Sequence, residues 1–171
     1  MATETKPPTS VLASTEIGSG TIADIDEDPD SPDANWMVAT GNNVDTDVRV
    51  DFDTPTDTLT VGADLQEFKS HVRQFDEGQS GTPQVRMELW EAGVLVRAGS
   101  DENVTTGGHT LSFTWNANEL SAGSGADVEC KIIGTKSGGA PGARNAVDYG
   151  AVEWNVDYTV GGASRRIVLS S

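Results

Sequence analysis

Along this chain, the run with ligand-like spacing is Asp24-x-Asp26-x-Asp28-x-Asp30. Alternate carboxylates on an irregular loop can wrap a hard cation such as Ca2+, which is bound through oxygen. The run departs from an EF-hand loop. Its sixth position is Pro29, where glycine is needed, and its twelfth is Asn35, where a bidentate glutamate is needed. Two readings stay open: a solvated acidic loop, or a Ca2+ site. Such a site would use Asp24, Asp26, Asp28 and Asp30, completed by Asp33 or by the second acidic run Asp45, Asp47, Asp51 and Asp53.

Other chemistry finds little to work with. Nucleophilic catalysis needs a serine or cysteine with a base in reach, and no G-x-S-x-G elbow occurs. The two histidines, His71 and His109, both fall within expected strands. The single Cys130 lies on the apolar phase of its strand, which predicts a buried, inert thiol. Two histidines and one buried cysteine do not make a zinc site. The glycine pairs Gly138-Gly139 and Gly161-Gly162 lack the lysine and the strand–turn–helix setting of a phosphate loop. A glycosidase-like carboxylate pair would be expected in an aromatic-lined cleft, and only 6% of the residues are aromatic. The sequence thus predicts no catalytic residues, no enzyme and no cofactor other than Ca2+.

Charge narrows the partners. The formal net charge is -16, from 27 acids and 11 bases. Such a surface repels nucleic acid and anionic membranes. The charge is uneven: residues 1–57 carry 13 acids against Lys6 and Arg49, whereas residues 161–171 carry Arg165 and Arg166 and no acid. The opening Met1-Ala2-Thr3-Glu4-Thr5 lacks a basic n-region, and no apolar stretch is long enough to span a bilayer. The expectation is a soluble protein made in the cytoplasm.

The elements that would position these side chains are strands. Val85-Met87-Leu89, Leu111-Phe113-Trp115, Val128-Cys130-Ile132 and Val152-Trp154-Val156 each alternate apolar with polar residues. That is the pattern of an antiparallel sheet with one buried face. These twelve residues are the predicted core. Further strands are expected at 11–17, 22–25, 36–40, 46–52, 58–61 and 67–75, with a hairpin over 85–98 that turns at Glu91-Ala92-Gly93. Asn116 with Glu119 three residues on has capping-box spacing and predicts one helical turn. A last strand or arm is expected over 165–169. Trp115 and Trp154 belong to the core phase, Trp90 falls off it, and Trp36 follows the acidic loop. The fold class is therefore an all-β antiparallel sandwich, jelly-roll or immunoglobulin-like, with flexible terminal arms. Its expected layout is an N-terminal arm over 1–9, a sandwich over 10–160, and a C-terminal arm or edge strand over 161–171.

Four stretches carry a resemblance: 28–36 (DPDSPDANW), 86–96 (RMELWEAGVLV), 115–117 (WNA) and 150–155 (GAVEWN). In them the chain resembles small virion proteins of tailed bacterial and archaeal viruses. The resemblance implies a β-sandwich capsid decoration (cement) protein, or else a tail or fibre component, with no catalytic residues to carry over. It implies a virion protein made in the host cytoplasm that binds the outside of the capsid. The partner would be the major capsid protein, and the binder a homo-oligomer, with a trimer favoured by the local three-fold sites of icosahedral shells. The rival reading is a carbohydrate-binding β-sandwich module, for which Trp90 is the candidate exposed ring.

Overall fold

A computed structural model describes residues 2–56, 58–59, 66–76, 79–105, 107–121, 125–137 and 144–158. They form twelve strands and two short 3-10 turns, with no α-helix among the described residues. The strands are β1 (Ala2–Lys6), β2 (Pro8–Thr15), β3 (Ile17–Ser19), β4 (Val38–Ala39), β5 (Thr46–Phe52), β6 (Gln66–Gln74), β7 (Gln84–Glu91), β8 (Val94–Ala98), β9 (Glu102–Asn103), β10 (His109–Trp115), β11 (Val128–Thr135) and β12 (Val147–Tyr158). Every strand pairing between them is antiparallel.

Two sheets face each other. One has the order β1-β12-β6-β10. The other runs β2-β5-β11-β7-β8, with β9 also on β7, and β3-β4 is a small separate pair. From β5 onward the chain alternates sheets: β5, then β6, then the β7–β8 hairpin, then β10, β11 and β12. This wrapping is that of a jelly roll, and it decides between the two sandwich types expected from the sequence. All twelve predicted core residues are buried, from Val85 to Val156. Phe68 sits at the centre of an aromatic cluster, with ring centroids 5.5 Å from Trp115, 5.6 Å from Phe52, 6.2 Å from Trp154 and 6.3 Å from Phe113. Phe52 belongs to the other sheet, so the cluster ties the layers together.

Local signals hold where the chemistry is local. The turn at Ala92-Gly93 places both residues at positive φ, 49° and 79°, as a two-residue hairpin turn requires. The Asn116 side chain accepts from the Asn118 N–H and Glu119 from the Asn116 N–H, closing the expected turn at Ala117–Glu119. Two expectations need correction. The strand anticipated at 22–25 is a 3-10 turn, Ile22–Asp24. There Asp24 Oδ2 accepts from both the backbone and the hydroxyl of Thr21, satisfying donors that a strand would send to a neighbour. The flexible arm over 1–9 is instead structural. Residues 2–6 pair with β12, and the chain crosses at Pro7 to the other sheet, where β2 pairs with β5. Leu59 bridges Tyr158, the one pairing the structure places in the expected 58–61 strand. Residues 60–61 and the expected element at 161–171 lie outside the described residues.

β12 departs from simple alternation: residues 147–154 are all buried. Its outer phase is covered by the 22–39 segment. Val152 N–H donates to the Ile25 carbonyl, and Met37 and Tyr149 exchange backbone hydrogen bonds. Trp36 lies against Gly150, where an added Cβ would come within 2.6 Å of the indole. Truncating Trp115 or Trp154 to alanine is expected to cost about 3–5 kcal/mol in denaturant unfolding, the scale for a buried large aromatic. Wild-type stability in either variant would contradict the inward placement of that ring.

Candidate functional site

The carboxylates of the acidic loop are held by separate local partners. Asp24 caps Thr21, Asp28 Oδ1 accepts the Asp30 N–H at 2.8 Å, and Asp30 bridges to Lys69 Nζ at 2.7 Å. Asp33 accepts from the backbone and side chain of Asn35, and Asp26 is exposed. Of the second run, Asp45 pairs with Lys136, Asp47 with Lys131, and Asp51 with Thr9 and Ser10. Asp53 is exposed in the stretch after β5. Among the described residues, no three acidic, histidine or cysteine side chains gather as a metal site. Asp24, Asp28 and Asp30 are engaged in local turns and one ion pair. What the loop does is cover the four-stranded sheet. Pro29 is buried, and its carbonyl accepts from the Thr110 hydroxyl.

His71 Nδ1 lies 2.9 Å from the Thr110 hydroxyl. His109 Nε2 lies 3.2 Å from Glu102. His71 packs by Trp36, centroids 5.6 Å apart, and burial, with His109 nearby, pushes its pKa down. Arg73 stacks over Trp36 at 4.2 Å and holds the buried Asp148 at 3.1 Å. Trp36 is thus packed against Gly150 and Arg73 rather than offered to a ligand. Cys130 is buried, and burial pushes its thiol pKa far up, as expected for an inert residue.

The remaining surface with order and composition suited to binding is the outer face of the larger sheet. Strand registry lays nine side chains of β5, β11 and β7 in three rows: Asp51–Glu129–Trp90, Arg49–Lys131–Glu88 and Asp47–Ile133–Arg86. Arg49 and Lys131 approach the Trp90 ring at 5.2 and 5.7 Å, and the indole N–H donates to Glu88 at 2.9 Å. Arg86 bonds Glu88 at 3.0 Å, and Lys131 lies 3.5 Å from Asp47. Arg49 Nε and Glu129 Oε2 are 3.4 Å apart, an ion pair without hydrogen-bond geometry. The grid holds three cations and four carboxylates, close to neutral on a chain of net charge -16. Trp90 was anticipated off the core phase. The two cations on its ring come from other strands, 41 residues away at Arg49 and at Lys131 on β11, and only registry brings them together.

No protein-family model matches the chain, and no curated protein matches it. Among solved structures it is similar to a CBM4 structure (15% identity over 72% of this chain and 76% of that one, TM-score 0.36). It is similar to the CBM22-1 xylan-binding domain of Paenibacillus barcinonensis Xyn10C (10% over 90% and 99%, TM-score 0.37). A third is the carbohydrate-binding module CBM28, specific for non-crystalline cellulose (12% over 67% and 67%, TM-score 0.32). Likeness at this level bears on neither ligand nor site.

Two outcomes follow from the carboxylates. Titrating millimolar Ca2+ into chelator-treated protein is expected to leave the melting temperature unchanged; a clear rise would restore the cation site. The second concerns pH. Burial raises the pKa of Asp148, partly offset by the Ala39 N–H and Arg73. Burial likewise raises that of Glu153, and that of Glu27 with help from Asp33. These groups bind protons more tightly folded than unfolded, so they favour the folded chain as pH falls and lose that contribution as pH rises through their folded values. Glu4 runs the other way, because hydrogen bonds from Thr56 and Lys6 outweigh its desolvation. His71 also runs the other way, because burial disfavours its charged form, so the carboxylate contribution is read from a variant: as pH is lowered from 7 to about 5, Glu153→Gln is expected to gain less melting temperature, or lose more, than the parent protein. An unchanged pH dependence in Glu153→Gln would contradict the raised carboxylate.

Proposed function

We propose that this chain is a non-enzymatic structural protein of a virion, binding the outer capsid surface and reinforcing the shell. The observation that carries the reading is the ion-paired grid on the outer face of the larger sheet. A body this acidic repels other acidic proteins over most of its surface. The grid is the broad face on which charges are paired at fixed spacing, so a partner can approach without net repulsion and find complementary register. The jelly roll is an architecture used by viral capsid and lectin domains alike, and fold alone does not assign function. The resemblance of 28–36, 86–96, 115–117 and 150–155 to small virion proteins supports the viral side of that choice. The partner is the major capsid protein, and the binder acts as a homo-oligomer, favoured as a trimer. Repetition of identical lattice sites multiplies weak contacts by avidity.

The test is co-sedimentation with purified capsids that lack the protein, run beside a glycan array. Saturable capsid attachment is expected, weakened about tenfold or more by Arg49→Glu with Lys131→Glu, a loss of the size set by close interfacial charge pairs. Glycan binding without capsid binding would overturn the proposal in favour of a carbohydrate-binding module.

A further inference from the structure

Residues 2–15 supply an edge strand to both sheets at once. β1 closes one edge of the four-stranded sheet on β12, Pro7 crosses the gap, and β2 closes an edge of the larger sheet on β5. The segment buries little: of residues 3–15, Pro8 alone is buried. It is held by strand pairing and by polar contacts, Glu4 with Thr56, Thr5 with Asn155, and Thr9 and Ser10 with Asp51. Its only charges are Glu4 and Lys6, so it is neutral on a chain of net charge -16. A single residue, Glu16, joins it to β3. Glu16 stands at φ 55°, in the left-handed region that side chains other than glycine seldom adopt. Its carbonyl accepts the Thr40 N–H at 2.9 Å, and its carboxylate accepts the Thr40 hydroxyl at 2.6 Å. Rotation about the N–Cα bond of Glu16 therefore swings β1 and β2 as one piece while both Thr40 bonds stay made. Nor is β2 fastened to the chain that follows the bend, because β3 pairs with β4. A cleft of about 390 Å³ separates them, with Thr9, Val11 and Ser14 on one wall and Ile17, Ile22 and Met37 on the other. Val11, Ile17 and Ile22 are only half-buried there.

We propose that residues 2–15 exchange between copies of this chain, each copy laying its β1 and β2 on the sheets of a neighbour. In the exchanged form Glu16 opens to an extended φ, and β2 runs on into β3 as one strand from Pro8 to Ser19. The neighbour's segment makes the same pairings with β12 and β5, and the same contacts with Thr56, Asn155 and Asp51, because the exchanged element is identical. The two states thus differ chiefly at the hinge. The closed chain carries a left-handed glutamate, and the exchanged chain relieves it. Against that relief stands the entropy of association, so protein concentration sets the balance. A neutral segment also passes between two strongly acidic bodies without adding to their repulsion. The exchange rests on the homo-oligomer of the proposed function and supplies the joint between its copies.

Mixed-chain cross-linking tests this in the full-length protein, whose native Cys130 is buried. Thr5 Oγ1 lies 3.0 Å from Asn155 Oδ1, so cysteines at these two positions meet across the β1–β12 pair. One chain carrying Thr5→Cys and another carrying Asn155→Cys are unfolded, mixed, refolded at high concentration and gently oxidised. A disulfide between the two chains is expected, about tenfold faster than between Thr5→Cys and Val94→Cys, an exposed position on the far edge of the other sheet. Hinge variants read the same equilibrium by gel filtration with light scattering. Proline holds φ at about -65° and excludes the closed bend, so Glu16→Pro is expected to be oligomeric. Glycine takes the left-handed bend freely, so Glu16→Gly is expected to lower the oligomer fraction about fivefold. Where Glu16→Pro does not fold, the cross-link and Glu16→Gly decide. The proposal is overturned if the mixed chains cross-link no faster than the control while a single chain with both cysteines closes internally. It is also overturned if Glu16→Pro folds as a monomer, or if Glu16→Gly is as oligomeric as the parent. No capsid enters these readouts: exchange without capsid attachment would sink the capsid reading alone, and attachment by unexchanged chains would sink this one alone.

Discussion

The aromatic cluster around Phe68 is the contact on which the rest of the molecule is hung. A jelly roll holds its sheets together only through side chains in the gap, because the chain keeps leaving each sheet for the other. Here one ring on β6 touches rings from β5, β10 and β12, so three crossings converge on one point. Trp115 and Trp154 sit 5.6 Å apart beside it, and neither indole N–H finds a partner among the described residues. The cluster therefore carries a polar cost at its centre, offset by the large apolar area the rings remove from water. The outer grid depends on this arrangement in turn. β5, β7 and β11 present Trp90, Arg49 and Lys131 outward only because Leu89, Val50 and Ile132 are held inward.

Much of the interior was legible because its signals are short in range. The alternation of His109–Trp115 needs only the pleat of one strand to be read, and the Asn116–Glu119 cap is complete within four residues. The turn at Ala92-Gly93 likewise rests on its own backbone. The parts that escaped depend on distant partners. Residues 2–6, Ala-Thr-Glu-Thr-Lys, show no apolar phase, since they join the sheet through backbone hydrogen bonds to β12 and not through buried side chains. The double burial of β12 was invisible for the same reason, its cover being supplied by residues more than a hundred positions earlier.

Spacing alone leaves the acidic loop with two readings. Aspartates at alternate positions suit a cation equally well on paper as they suit a chain of turns. In the structure Pro29 is buried, its carbonyl accepts from Thr110, and the carboxylates of Asp24, Asp28 and Asp30 engage Thr21, the Asp30 amide and Lys69. A loop pulled open around an ion would have to surrender that cover. Ile25, Met37 and Trp36 would then lose their seat on β12.

The pairing of β1 with β12 joins the earliest described strand to the last one, Ala2 opposite Tyr158. During synthesis the four-stranded sheet can gain neither its centre nor its first edge until nearly all of the described chain has been made. Until then the apolar partners awaiting β12, on β6 and beneath the 22–39 segment, stand uncovered. Such long-range closure places the molecule among slow folders, with its search dominated by loop entropy and not by local propensity. It also leaves the nascent chain dependent on its charge: a strongly acidic polypeptide repels its neighbours while the strand that will complete it is still being made.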